Sequence, residues 1–138
     1  MAAVSLGACT EPLLFDNVVP VVTGLGPVVP MGPDTARITL WVQDWEGDPV
    51  DLELVFVAPG QEPKPLVAVP GGHGDVGLTS AKEWPGREHV FLWDTTGIPP
   101  STKLRIRVTP DDLRAGAGDP LETTEFTLEV GLPAPVVP

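Results

Sequence analysis

Proline and glycine interrupt this chain so often that a long helix has no room in it. Eighteen prolines and fifteen glycines are spread over 138 residues. Proline fixes φ and removes a backbone donor, and glycine costs backbone entropy inside a helix. Between them they leave no stretch longer than about twelve residues that is also patterned for a helix. What fits is a set of short strands joined by many turns.

Alternation locates the strands. In Thr35–Gln43 the residues Ala36, Ile38, Leu40 and Val42 share one face, and Arg37, Thr39, Trp41 and Gln43 the other. That is the pattern of a half-buried strand. Asp44-Trp45-Glu46-Gly47-Asp48-Pro49 reads as a turn. Val50–Val57 then alternates again, with Val50, Leu52, Leu54 and Phe56 inward, and the two strands are expected to pair as a hairpin. Lys64–Val69 is a short strand weakened by Pro65, Gly71–Gly74 is a loop, and Val76–Ser80 has no clear pattern. His89–Asp94 is apolar on both faces, which suggests a central strand. Lys103–Thr109 places Leu104, Ile106 and Val108 inward and its basic residues outward, and Thr123–Val130 places Phe126, Leu128 and Val130 inward. These last two are expected to pair, basic face against Glu-bearing face. The expected fold is an all-β antiparallel sandwich of about seven strands spanning residues 34–130. Residues 1–33 are read as an N-terminal arm and 131–138 as a Pro-rich extended tail.

Charge narrows the partners. The formal net charge is -11, which disfavours a nucleic-acid backbone or an anionic membrane surface. No run of eighteen apolar residues is present, so no transmembrane helix is expected. A single cysteine, Cys9, excludes an intrachain disulfide. The tetrad Leu6-Gly7-Ala8-Cys9 resembles a bacterial lipobox, in which a small-residue cleavage site precedes a cysteine that then carries lipid. A signal peptide has a basic segment and about 7–15 apolar residues before the cut, and only Ala2–Ser5 stand between Met1 and that tetrad, so either the start is truncated or the match is chance. The Val-, Pro- and Gly-rich stretch after it, Thr10 to Pro33, carries almost no charge and suits a tether.

Candidate chemistry is sparse. Asp44, Glu46 and Asp48 are spaced as oxygen ligands at the start of a calcium loop, but the twelfth position, where an EF-hand needs Glu, is Val55. A solvated acidic turn is the favoured reading, and calcium the weaker one. Asp111, Asp112 and Asp119 form a second acidic loop that is read the same way. The two imidazoles, His73 and His89, lack zinc-ligand spacing, and Ser5, Ser80 and Ser101 lack a nucleophile-elbow pattern. No catalytic residue and no cofactor is therefore expected. Four tryptophans accompany no tyrosine at all. Trp41 lies on the polar face of its strand, Trp45 in a turn and Trp93 near a strand end, so these three are the candidate ligand-binding residues.

The run Trp41-Val42-Gln43-Asp44, followed by Gly47-Asp48-Pro49-Val50-Asp51-Leu52-Glu53-Leu54, resembles a region of immunoglobulin-like and fibronectin type III-like modules of bacterial surface proteins. His89-Val90-Phe91-Leu92-Trp93-Asp94-Thr95, Leu104–Asp112 and Thr124–Leu128 are similar to later strands of such modules. The chain has neither the tyrosine corner nor the cross-sheet cysteine pair of antibody-type domains. The resemblance implies a non-enzymatic, extracytoplasmic adhesion or spacer module at a bacterial cell surface or outer membrane, to which the Leu6–Cys9 tetrad, if it is a lipobox, would add a lipid anchor at Cys9. Its partners would be a protein or a glycan. The alternatives are a glycan- or protein-binding module using the tryptophans, and a subunit whose N-terminal arm donates a strand to a neighbour.

Overall fold

A computed structural model describes residues 18–138, so Cys9 lies outside the described residues. The strands in chain order are β1 (Val21–Pro30), β2 (Thr35–Gln43), β3 (Asp51–Val57), β4 (Lys64–Pro65), β5 (Val67–Ala68), β6 (Arg87–Asp94), β7 (Arg105–Asp111) and β8 (Leu121–Glu122). They form two antiparallel sheets, ordered β1-β2-β6-β5 and β4-β3-β7-β8. No helix occurs among the described residues.

The two sheets enclose one core. Ala36, Ile38, Leu40 and Val42 of β2 are buried together with Leu52 and Leu54 of β3 and Ile106 and Val108 of β7. Phe56 of β3 meets Trp93 of β6 across the sandwich, with ring centroids 5.6 Å apart. Central β6 turns His89, Phe91 and Trp93 inward. Its outward Val90 and Leu92 are covered by the glycine loop. His73 donates its backbone N–H to the Val90 carbonyl at 2.8 Å. A Cβ on Gly72 would stand 2.9 Å from that carbonyl, so the loop approaches this closely only as glycine.

Several expectations are corrected. β2 and β3 are not a hairpin: β2 pairs with β1 and β6, and β3 with β4 and β7. The Asp44–Pro49 turn carries the chain from one sheet to the other. Alternation says which face of a strand is buried, and both strands do bury the expected face, but from opposite sides of the core. The Lys64–Val69 segment also changes sheets. β4 pairs with β3, β5 pairs with β6, and Leu66 between them is buried.

The arm and the tail belong to the sandwich. β1 pairs with β2 along its length, with register irregularities around Gly24 and between Leu25 and Val28, and it buries Val22, Leu25 and Val28. Its prolines are accommodated because β1 is the outermost strand and irregular. On its other edge the tail makes paired backbone hydrogen bonds of 2.9 Å, Leu132 with Val28 and Val136 with Leu25. The strand that a donating subunit would offer is thus engaged on both edges at these positions.

The last pairing is not where the alternation puts it: β8 precedes the expected Thr123–Val130 strand, of which only Phe126 bridges to the β7 side. β8 opposes β7 with Arg107 across from Glu122, an ion pair of 3.5 Å. Both side chains are substantially exposed, so the pair contributes only about 0.2–1 kcal/mol. Regular strand then stops at Thr123. The Thr123 hydroxyl, rather than a backbone carbonyl, accepts the Ile106 N–H at 2.9 Å. Phe126 resumes pairing with Leu104, and the chain then turns, leaving Val130 76% exposed instead of inward. Thr123→Val keeps the volume but strands a buried N–H. It is expected to lower stability by about 1–3 kcal/mol, read from urea unfolding midpoints at unchanged slope.

Candidate functional site

The four tryptophans divide into two pairs. Trp93 is fully buried, so it is not a surface for ligand. Both faces of β6 are apolar, and packing selects the face that meets Phe56. Trp41 is half-buried and covered from its own sheet. It stands opposite Gly24 of β1, where an added Cβ would lie 2.9 Å from the indole Cε3. The glycine leaves the space that the ring fills. Trp45, by contrast, is 58% exposed, and so is Trp84 at 71%. Trp84 precedes Pro85 in a loop outside the expected strands.

Trp45 and Trp84 stand on two connected loops at one end of the sandwich. The Asp44 N–H donates to the Ala81 carbonyl at 3.0 Å, and the Gln43 amide donates to the Lys82 carbonyl at 2.8 Å. Thr23 of β1 reaches the Pro85 carbonyl with its hydroxyl. The 81–86 loop is thereby held to the first sheet by three separate groups.

Beside Trp45 in the chain lies a cluster of carboxylates. Asp44, Glu46, Asp48 and Asp112 each offer an oxygen, and these four oxygens all lie within 4.8 Å of one another. The two acidic loops read separately in the sequence are therefore one site, joined through Asp112. Asp111 and Asp119 stay outside it. Asp111 accepts the Leu113 N–H at 2.7 Å and Asp119 is exposed.

Local hydrogen bonding fixes each aspartate. Oδ1 of Asp44 accepts the Glu46 N–H at 2.8 Å, and the Asp44 carbonyl accepts the Gly47 N–H at 3.0 Å. Asp112 follows β7, and its Oδ1 accepts the N–H groups of Arg114, Ala115 and Gly116 at 2.9, 2.8 and 3.2 Å. Oδ1 of Asp48 meets the Arg114 guanidinium at 3.4 Å. Glu46 accepts the Val18 N–H at 3.1 Å.

Titration reflects this crowding. Burial pushes the Asp44 carboxyl above its ordinary value. The Glu46 amide opposes that rise, and the charges of Asp112, Asp48 and Glu46 add to it. Burial acts on Asp112 in the same direction, but the amides of Arg114, Gly116 and Ala115, with the Asp44 side chain, outweigh it and hold this carboxyl low. A set of oxygens like this can share a proton or hold a hard cation.

The two histidines, which lack zinc-ligand spacing in the sequence, meet edge to face with centroids 4.9 Å apart. Three of their four ring nitrogens have partners in the chain, and the two Nδ1 atoms lie 3.1 Å apart. His73 Nδ1 accepts the Val90 N–H at 3.0 Å, and His89 Nε2 lies 2.7 Å from the Thr79 carbonyl. The Ser80 hydroxyl donates to the Asp48 carbonyl at 2.7 Å, which gives it a structural partner.

Comparison of the chain with protein-family models, with curated proteins and with solved structures gives no match.

Proposed function

We propose that this chain is a non-enzymatic interaction module of the immunoglobulin-like or fibronectin type III-like kind, working outside the cytoplasm, with the Trp45 and Trp84 loops as its contact surface. The strand order supports the kinship. Immunoglobulin sandwiches place strands A, B, E and D in one sheet and C, F and G in the other. Lettering β1, β2, β3, β5, β6, β7 and β8 as A to G in chain order yields those two sheets, with β4 as an additional edge strand. A fold of this kind hosts many activities, so the site must carry the function.

The carrying observation is the pair of exposed indoles on two loops hydrogen-bonded to each other and to a rigid sheet. Indoles supply a large flat apolar contact with one polar edge, which suits a sugar ring or a pocket on a partner protein. Both loops are pinned by backbone hydrogen bonds, so little ordering entropy is lost on contact. Lipid attachment at Cys9 remains part of this reading on the strength of the Leu6–Cys9 tetrad.

Trp45→Ala and Trp84→Ala are expected to leave the melting temperature within about 2 °C of the parent, because neither ring is in the core. On glycan arrays and on surface-protein extracts, each is expected to weaken binding by roughly thirtyfold, as for a hot-spot aromatic. Retained hits on glycans identify sugar as the partner, and hits confined to the extracts identify protein. Binding that survives both substitutions at full strength would sink the assignment.

A further inference from the structure

We propose that Asp44, Glu46, Asp48 and Asp112 form a calcium site that clasps the two sheets together at the Trp45 end. The four carboxylates alone would be a solvated acidic patch. What distinguishes them is the state of their second oxygens. In all three aspartates the chain engages Oδ1, by amides at Asp44 and Asp112 and by Arg114 at Asp48. In all three, Oδ2 is buried and has no hydrogen-bond partner. Asp44 and Asp112 are 0% and 4% exposed, so water does not supply what the protein withholds. A carboxylate oxygen removed from water without a partner is costly, and several in one cluster of carboxylates are costlier still. A cation among them removes that penalty.

Size and chemistry select the ion. Calcium takes six to eight oxygens at about 2.3–2.6 Å, so oxygens on opposite sides of it stand about 4.6–5.2 Å apart. Ligand atoms that all lie within 4.8 Å of one another have the spacing of oxygens around one such ion. Magnesium demands near-ideal octahedral geometry at about 2.0–2.1 Å and keeps several waters, a poor match to a converging set of four carboxylates. The set contains no nitrogen or sulfur, which argues against zinc and copper. One guanidinium stands against four carboxylates, so the site keeps an excess of negative charge that a divalent ion reduces.

The ion would join separate parts of the fold. Asp44 leaves β2 of the first sheet and Asp112 leaves β7 of the second, while Glu46 also holds the Val18 backbone. Trp45 sits between two of the ligands, so loading would also set the loop that presents this indole. The inference stands on the aspartate geometry and does not depend on what the indoles bind.

The test uses the full chain after exhaustive chelation. Titration calorimetry with calcium chloride is expected to show one ion per chain. At a hundredfold excess over Kd the melting temperature is expected to rise by about 10 °C. Terbium, a calcium substitute, is expected to luminesce on excitation of tryptophan, with Trp45 as the near donor. Asp44→Asn and Asp112→Asn should abolish all three signals, and Glu46→Gln, whose side chain is only half-buried, should weaken binding by about tenfold or more. Asp119→Asn, exposed and outside the set, should change nothing. Absence of heat, melting shift and terbium emission in the parent chain would overturn the proposal, whatever the variants do. So would signals that persist at full strength in both Asp44→Asn and Asp112→Asn, or magnesium binding as tight as calcium.

Discussion

Trp93→Ala is expected to lower the stability of the sandwich by about 3–5 kcal/mol, which for a chain of this size moves the melting temperature by more than about 10 °C. Trp93 is fully buried on central β6, and its ring meets Phe56 of the opposite sheet at 5.6 Å. Alanine leaves a cavity that two sheets pinned by backbone pairing cannot collapse to fill. The indole has a second peculiarity, because its Nε1 is buried without a hydrogen-bond partner. Trp93→Phe gives up volume but also removes that unpaired donor, so the two effects oppose each other. The phenylalanine variant is expected to cost only about 1–2 kcal/mol. Equilibrium unfolding in guanidinium measures both. A cost below about 1 kcal/mol for the alanine variant would show that this ring does not bridge the sheets.

The second large effect is expected at Gly86, which sets the loop that carries Trp84. Gly86 has φ +94°, and a Cβ there would run into the Val42 carbonyl and the Gln43 nitrogen of β2. Those are backbone atoms of a central pairing strand, not the movable end of a side chain. Gly86→Ala therefore combines a left-handed φ with a backbone collision, and a loss of about 3 kcal/mol or more is expected. Gly97 supplies the comparison. Its φ is +87°, but nothing lies within 4 Å of its added Cβ. Gly97→Ala should show the conformational cost alone, about 1 kcal/mol. Equal melting temperatures for the two variants would remove the contact with β2 as the cause. The Gly86 variant should also displace Trp84, so any binding that depends on this indole should fall with it.

Much of the fold is legible in the chain because alternation is a local signal. Thr35–Gln43 is a strand with the expected inward face, and Leu104, Ile106 and Val108 are buried as their spacing requires. Other parts were hidden. β1 carries Pro27 within an irregular register and shows no clean period of two, so it reads as an arm until its pairing with β2 is seen. The tail follows for the same reason, since Leu132 and Val136 are held by hydrogen bonds to β1. Thr123 ends β8 through a side-chain hydrogen bond that no local pattern announces.

The acidic site divides in the same way. Asp44, Glu46 and Asp48 can be picked out by spacing, because neighbours two apart in a turn lie close whatever the fold. Asp112 cannot, because it reaches them only after β2 and β7 have been placed in facing sheets. Its Oδ1 is taken by the three N–H groups that follow it, a local arrangement, but the setting of its bare Oδ2 is tertiary.

Proline and glycine, scattered as they are, exclude helix, and period-two runs choose strands and the faces they bury. That much is determined by the sequence alone, since both are properties of adjacent residues. Which strands are neighbours, which tryptophans reach solvent, and which carboxylates converge were decided only by the tertiary structure. Each depends on contacts between residues far apart in the chain, and the free energy that selects them comes from burying one shared core.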